Sequence, residues 1–286
     1  MEKISGKILE RIYKPRDPEA QKYDFGHLLV IGGSKLYSGS PALNALAAYR
    51  TGVDLVTVAA PKRAADIVAS FSPNLITYPL DGDYLEPKHL PEIQKLLENK
   101  SAVVIGGGMG REEKTFSAIV ETLKLVDVPV VIDADAIYAV SKPFARPGLA
   151  NAGFVLTPHL YEFYILTGDI LTGVTPQKGL NERVSAVKKA AAELKTTILL
   201  KGHTDIISDG KKVALNKTGS PYLTVGGTGD TLAGILGSLL AQGNDIWTSA
   251  QAAAYINGLA GQYAADKFGP AVLATDLIDY IPEVVI

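Results

Sequence analysis

Val225 to Gly234 reads VGGTGDTLAG, three glycines and one carboxylate directly ahead of an apolar run of small residues, GILGSLLAQG. A helix N-terminus carries unpaired N–H groups and roughly half a positive charge, and glycines let an anion come close to that backbone. Asp230, placed where the glycines end, could take a proton from a substrate hydroxyl as that oxygen attacks phosphorus. The same residues also fit a sharp turn followed by a capping acid. Two features weigh against the turn alone. The glycines are more than one turn needs, and the helix after them carries so little side chain that it can approach a neighbour closely, although each interior glycine costs about 1 kcal/mol relative to alanine.

Other chemistries lack their residues. Gly106-Gly107-Gly108-Met109-Gly110-Arg111 has the position of a dinucleotide-binding turn, but Arg111 stands where GxGxxG requires its third glycine. The next strand, VVIDAD, ends in acids, which keeps a dinucleotide fold as a minor alternative. There is no GxxxxGK[ST], no GxSxG and no HExxH. The absence of cysteine excludes disulfides, thiolate nucleophiles and cysteine-held metals.

The elements that must position Asp230 follow from hydrophobic texture. HLLVIGG, DLVTVAA, NLITYPL, AVVIGGG, VPVVIDAD and GFVLTPH are continuous apolar runs, the pattern of strands buried on both faces. PALNALAAYRTG, PEIQKLLENK and REEKTFSAIVETLKLV lie between them with apolar residues at helical spacing. The βαβα order implies a parallel sheet with helices on both faces. TTILLKG, TDIISDG and KKVALNK then read as a buried strand followed by an antiparallel hairpin, turning at Asp209-Gly210. Two long helices close the chain, from Asp230 to about Gln242 and from Asp245 to about Lys267.

With 286 residues, 47% of them hydrophobic, and no Pro/Gly/Ser-rich linker or repeat, a single domain over residues 1–286 is expected, with a charged N-terminal arm over residues 1–25. The 28 basic and 30 acidic residues nearly cancel, and no basic run marks a nucleic-acid or membrane surface. The N-terminus is too charged for a signal peptide, and every apolar run is interrupted before it could span a bilayer. A soluble cytoplasmic protein with a small-molecule partner is the expectation. The apolar segment AQAAAYINGLAGQYAA calls for burial in the core or in a contact between subunits, and a homo-oligomer is expected.

From about Phe25 to Pro282 the chain resembles the ribokinase-like superfamily, whose nucleotide-site signature is GxGD at a helix N-terminus. More specifically it resembles the NAD(P)H-hydrate dehydratases. The blocks that carry the resemblance occur in the family's order: GGSKLYSGSPALNALAAYRTGVDLVTVAAP, VVIGGGMGREEKT, VVIDADAI, LTPHLYEF, ILLKGHTDII, GSPYLTVGGTGDTLAG, NGLAG and ATDLIDYIP. A lone GTGD is a weak signal; eight ordered blocks are a strong one. The resemblance implies a three-layer α/β/α sandwich with a mostly parallel sheet and an antiparallel hairpin toward the C-terminal part. It implies repair of hydrated NADH or NADPH, in which ADP or ATP, with Mg2+, phosphorylates the C6 hydroxyl and phosphate is then eliminated. An ATP-dependent kinase of a small alcohol, sugar or vitamin precursor would use the same fold and the same carboxylate.

Residue by residue, the resemblance implies Asp230 as the base, with the amides around Gly227, Thr228 and Gly229 as the anion hole. Gly229 with Lys201, Gly202, His203, Thr204 and Asp205 would hold the adenylate of the donor. Ser40, Gly110 and His159, with Asp230, would hold the hydrated dinucleotide. His159, at a strand end, also fits a helix cap. Asp133 and Asp135 could face a magnesium-bound phosphate, but acids after a strand more often cap the next helix, so the pair is expected to be caps and the metal ligands stay unassigned. The chain departs from the family's usual residues at Ser40 (alanine), Tyr138 (asparagine), Leu160 and Tyr161 (small residues), Tyr222 (glycine) and Asn257 (histidine). Several of these lie near the expected substrate cleft.

Overall fold

In the computed structural model, which describes residues 1–142, 153–168 and 179–285, the apolar runs become strands of one ten-stranded sheet. Seven run parallel: β2 (His27–Ile31), β3 (Leu55–Pro61), β4 (Ile76–Leu80), β5 (Ala102–Ile105), β6 (Val130–Ile132), β7 (Phe154–Leu156) and β8 (Thr197–Leu200). Then β9 (Asp205–Ser208) pairs antiparallel with both β8 and β10 (Val213–Asn216). A two-residue strand, β1 (Glu2–Lys3), completes the order β1-β10-β9-β8-β7-β6-β5-β2-β3-β4 by pairing parallel with β10.

Successive residues of one strand enter opposite cores, which is why the runs are continuous. Leu28 and Val30 face one apolar cluster, Leu29 and Ile31 the other, and all four are essentially inaccessible. The first cluster is covered by α2 (Gly39–Arg50), α3 (Lys62–Phe71), α9 (Thr228–Ala241), α10 (Ile246–Phe268) and α11 (Ala274–Val285). The second is covered by α4 (Leu90–Leu97), α5 (Glu113–Leu125), α6 (Asp135–Ser141), α7 (Leu160–Thr167) and α8 (Leu180–Leu194). Helices therefore lie on both faces of a mixed, mostly parallel sheet, as expected.

Two expectations need correction, and two become specific. NLITYPL is not buried on both faces: β4 is the sheet edge, leaving Ile76 47% exposed. The charged arm is built into the fold through β1 and α1 (Leu9–Ile12), with Ile8 buried and Arg11 donating to Thr248 Oγ1 on α10 at 2.9 Å. Three helices, not two, close the chain, because after Gly269 and Pro270 the chain restarts as α11, with Asp276 Oδ2 accepting from Leu273 N at 2.8 Å. Finally, the apolar stretch of α10 is buried in the core, one of the two outcomes expected of it: Ala252, Ala253, Ile256, Ala260 and Gly261 are all buried.

The small residues of α9 serve proximity. A Cβ on Gly234 would strike the carbonyl oxygen of Asn44 on α2, a rigid backbone atom. Gly234→Val is therefore expected to lower stability by roughly 3 kcal/mol, the upper end for overpacking, measurable as a lower denaturant midpoint. Because Asn44 also donates through Nδ2 to the carbonyl of Asp230 in the first turn of α9, turnover should fall in parallel.

Candidate active site

Gly227 caps α9 with φ near +99°, a region that L side chains rarely adopt, and a Cβ there would come within 2.6 Å of Leu43 Cδ1. Thr228 closes the loop by donating through Oγ1 to the carbonyls of Leu223 and Val225 at 2.9 and 3.2 Å. No side chain caps α9, so its first-turn N–H groups are left for an anion. The capping alternative for Asp230 is thereby removed: it is the third residue of the helix. Its carboxylate instead accepts from Ser40 Oγ, and its own carbonyl accepts from Asn44 Nδ2 at 2.9 Å, both from α2. Burial, reinforced by the negative charge of Asp133, pushes the Asp230 carboxyl up to about 6; the Ser40 hydroxyl and Lys201 act in the opposite direction. A carboxylate tuned there is ionised at neutral pH yet basic enough to accept a proton.

Three neighbouring parallel strands deliver a second cluster at their C-terminal ends, where open α/β sheets place their ligands. Asp133 follows β6, Thr157 follows β7 and Lys201 follows β8. Asp133 Oδ1 accepts from Thr157 Oγ1 and from Lys201 Nζ, each at 2.8 Å. Lys201 Nζ also lies 3.9 Å from Glu162 Oε2 and 3.2 Å from where a Cβ on Gly229 would stand. The ammonium thus rests against the first turn of α9. Burial alone would lower its pKa, but Asp133, Glu162 and Asp230 together hold it above the ordinary lysine value.

Asp133 and Asp135 are not helix caps. Asp133 is buried against Lys201, and the residue that opens α6 is Ala134, with φ near +47°. Asp135 turns to the loop before α5, accepting from Gly110 N and Arg111 Nε, each at 3.0 Å. His159 does cap: its Nδ1 accepts from Tyr161 N and Glu162 N at 3.1 and 3.3 Å, while Glu162 Oε2 accepts from His159 N at 2.8 Å. Burial first, then the nearby Lys201 charge, lowers the His159 pKa, so the ring is neutral at pH 7 and its Nε2 carries the proton.

Between the β8–β9 turn and the start of α9 opens a cavity of about 650 Å³. Lys201, Gly202, His203, Asp205 and His159 form one wall; Thr228, Gly229 and Asn257 form part of the other. Thr204 is buried and does not line it, nor does Gly227. The Asp205 carboxylate is directed to its own loop, accepting from Gly202 N and Asn216 Nδ2 at 3.0 Å each, and burial pushes it up to about 6. Ser40, on α2, donates to the Asp230 carboxylate and lies against Gly107 and Gly108, and Gly110 belongs to the same loop; neither lines the cavity. A hollow of about 370 Å³ bounded by Tyr23, Ser101 and Asn244 contains none of these residues.

Sequence reasoning missed the ion pair of Asp133 with Lys201, the hydroxyl of Thr157, and Asn44. The available signals were a polar residue at the end of each of three successive strands and one buried asparagine in the apolar face of ALNALAA. Asn257, one of the departures, accepts from Thr231 Oγ1 at 2.7 Å and donates to the carbonyl of Thr228 at 3.2 Å, bracing the first turn of α9 from α10.

A profile of the NAD(P)H-hydrate dehydratase family matches residues 28–283. The chain belongs to that family. Among its relatives, an ADP-dependent (S)-NAD(P)H-hydrate dehydratase from Nitrosopumilus maritimus is 38% identical over 97% of this chain and 94% of its own length. A bifunctional NAD(P)H-hydrate repair enzyme from Pyrobaculum aerophilum is 43% identical over 94% of this chain but only 52% of its own length, so this dehydratase-family chain spans about half of such relatives. An ADP/ATP-dependent NAD(P)H-hydrate dehydratase from Bacillus subtilis, co-crystallized with ATP and Mg2+, superposes with a TM-score of 0.82 at 27% identity, covering 98% of this chain and 96% of that one. The dehydratase fold here is the ribokinase-like one.

Proposed function

We propose that the protein dehydrates hydrated NADH or NADPH at the expense of ADP or ATP. The observation that carries this is the juxtaposition, in one first helical turn, of uncapped amides, the Lys201 ammonium and a carboxylate tuned to about 6 beside an open cavity. Asp230 takes the proton of the ring hydroxyl at C6 as that oxygen attacks the terminal phosphorus of the donor. The bond from phosphorus to the shortened nucleotide breaks, and the Gly229 amide and Lys201 meet the charge on the transferring group. Phosphate then leaves C6, a proton leaves the neighbouring ring carbon, and the double bond is restored. The cavity bounded by Lys201, Gly202, His203 and Asp205 takes the donor's adenylate; Ser40 and Gly110 face the dinucleotide, and His159, in the wall of that same cavity, would meet it where donor and substrate join.

Among the described residues no group of three carboxylates or histidines could cage a metal. Asp133 is committed to Lys201 and Asp135 to Arg111. This donor set fits a magnesium ion held chiefly by the donor's own phosphates and water, which would supply neutralisation of phosphate charge. A cytoplasmic location and a homo-oligomer belong to the same proposal; no helix among the described residues is long and apolar enough to cross a membrane.

The test is to incubate purified protein with hydrated NADH and either ADP or ATP, following the return of reduced-nicotinamide absorbance. Recovery with at least one donor is expected. No recovery with either overturns the dehydratase reading, and stable phosphorylation of a different alcohol would assign a kinase instead.

A further inference from the structure

The loop from Gly106 to Arg111 runs directly past the base. A Cβ on Gly107 would overlap Ser40 Oγ and lie 3.0 Å from Asp230 Oδ1. Four residues on, within at most about 14 Å of extended chain, the loop ends at Arg111. Its guanidinium carbon stands 3.6 Å over the centre of the Tyr138 ring, and its Nε donates to Asp135 Oδ1 at 3.0 Å. Asp135 also accepts from Gly110 N, so one carboxylate aligns both the loop backbone and the side chain. Among the described residues the Arg111 side chain pairs with no carboxylate other than Asp135, and it is 57% exposed. A planar fork, stacked on one face and tethered at Nε, is preorganised to meet an anion through its outer edge. Arg111 does not line the cavity beside Lys201; it ends the loop whose Gly107 lies against Ser40 and Asp230.

We propose that Arg111 grips a phosphate of the hydrated dinucleotide, and that Tyr138 is the positioning residue that holds the guanidinium ready. The proposal rests on the dehydratase reading for its ligand. Either the bridging diphosphate or the 2′-phosphate of the NADP form could supply the anion, and the two substrates separate these sources.

Arg111→Lys retains the charge but loses the plane, and Tyr138→Asn removes the platform while Tyr138→Phe preserves it. The first two should raise KM for hydrated NADPH roughly 10-fold or more, the scale of a hydrogen bond to a charged group. KM for ADP should stay unchanged, and Tyr138→Phe should behave as wild type. An equal effect with hydrated NADH points to the diphosphate, and an effect confined to hydrated NADPH points to the 2′-phosphate. Calorimetric titration with NADPH, which carries the same phosphates, reads the grip without turnover, so a wild type inert toward the hydrate sinks the activity reading separately. Unchanged NADPH affinity in Arg111→Lys, or a rise in KM for ADP instead, overturns the phosphate grip.

Discussion

Asp230→Asn should lower turnover of hydrated NADH by roughly 10²-fold or more, the scale of a lost general base, while leaving the protein folded. The amide is nearly isosteric, and its oxygen can still accept from Ser40 Oγ. Stability should move the other way from activity. In the native state burial raises the Asp230 carboxyl from 3.8 to about 6, so the folded protein holds that proton more tightly than the unfolded chain does. The resulting stabilisation is fully present below pH 3.8 and is lost as pH rises through about 6. Above that pH the wild type buries a charge that the variant does not carry, so the variant's melting temperature at pH 7 to 8 should equal or exceed that of the wild type. Wild-type turnover in turn should fall as pH drops below about 6 and the base becomes protonated. A variant with undiminished kcat, or a wild type with a flat profile between pH 5 and 7, would remove Asp230 from the role of base.

Lys201→Met is expected to have the largest effect on the fold. Its ammonium lies between Asp133 and Glu162, whose side chains are only 4% and 7% exposed. Removing one member of a buried ion pair typically costs about 3–5 kcal/mol, because the remaining charge has no compensation. Without the cation the Glu162 carboxyl, which burial pushes up and Lys201 holds down, should keep its proton to higher pH, so the deficit should be greatest at neutral and alkaline pH and should shrink on acidification. Urea midpoints at pH 5 and pH 8 would show this, the difference between variant and wild type being larger at pH 8. Calorimetry should show ADP binding lost as well, since the same ammonium rests against Gly229. Equal midpoints at both pH values would mean that the pair contributes nothing net to folding.

The parts of this molecule legible in the sequence are those governed by local pattern. β2 and β5 read as buried strands because residues such as Leu28 and Leu29 are both apolar, one for each core. Asp230 drew notice because glycines preceded it. What escaped depends on which strands become neighbours. The 68 residues separating Asp133 from Lys201 conceal a contact that exists only because β7 lies between β6 and β8, supplying Thr157 on the way. Judged alone, an acid after a strand resembles a cap, and Asp133 was read so. β1 was missed for a related reason: two exposed, charged residues have no strand signature until β10 offers them a partner. In the opposite sense, NLITYPL looked like an interior strand because its residues are apolar, although three of its five strand positions are exposed at the edge.

Those two outermost strands bear on how the protein behaves in a crowded solution. One edge of the sheet is only two residues long, and the other carries Pro79, which has no N–H to offer an incoming strand. Lateral growth of the sheet from one molecule to the next is therefore disfavoured at both borders. Partly folded chains are thereby denied a long, regular template for strand-by-strand aggregation.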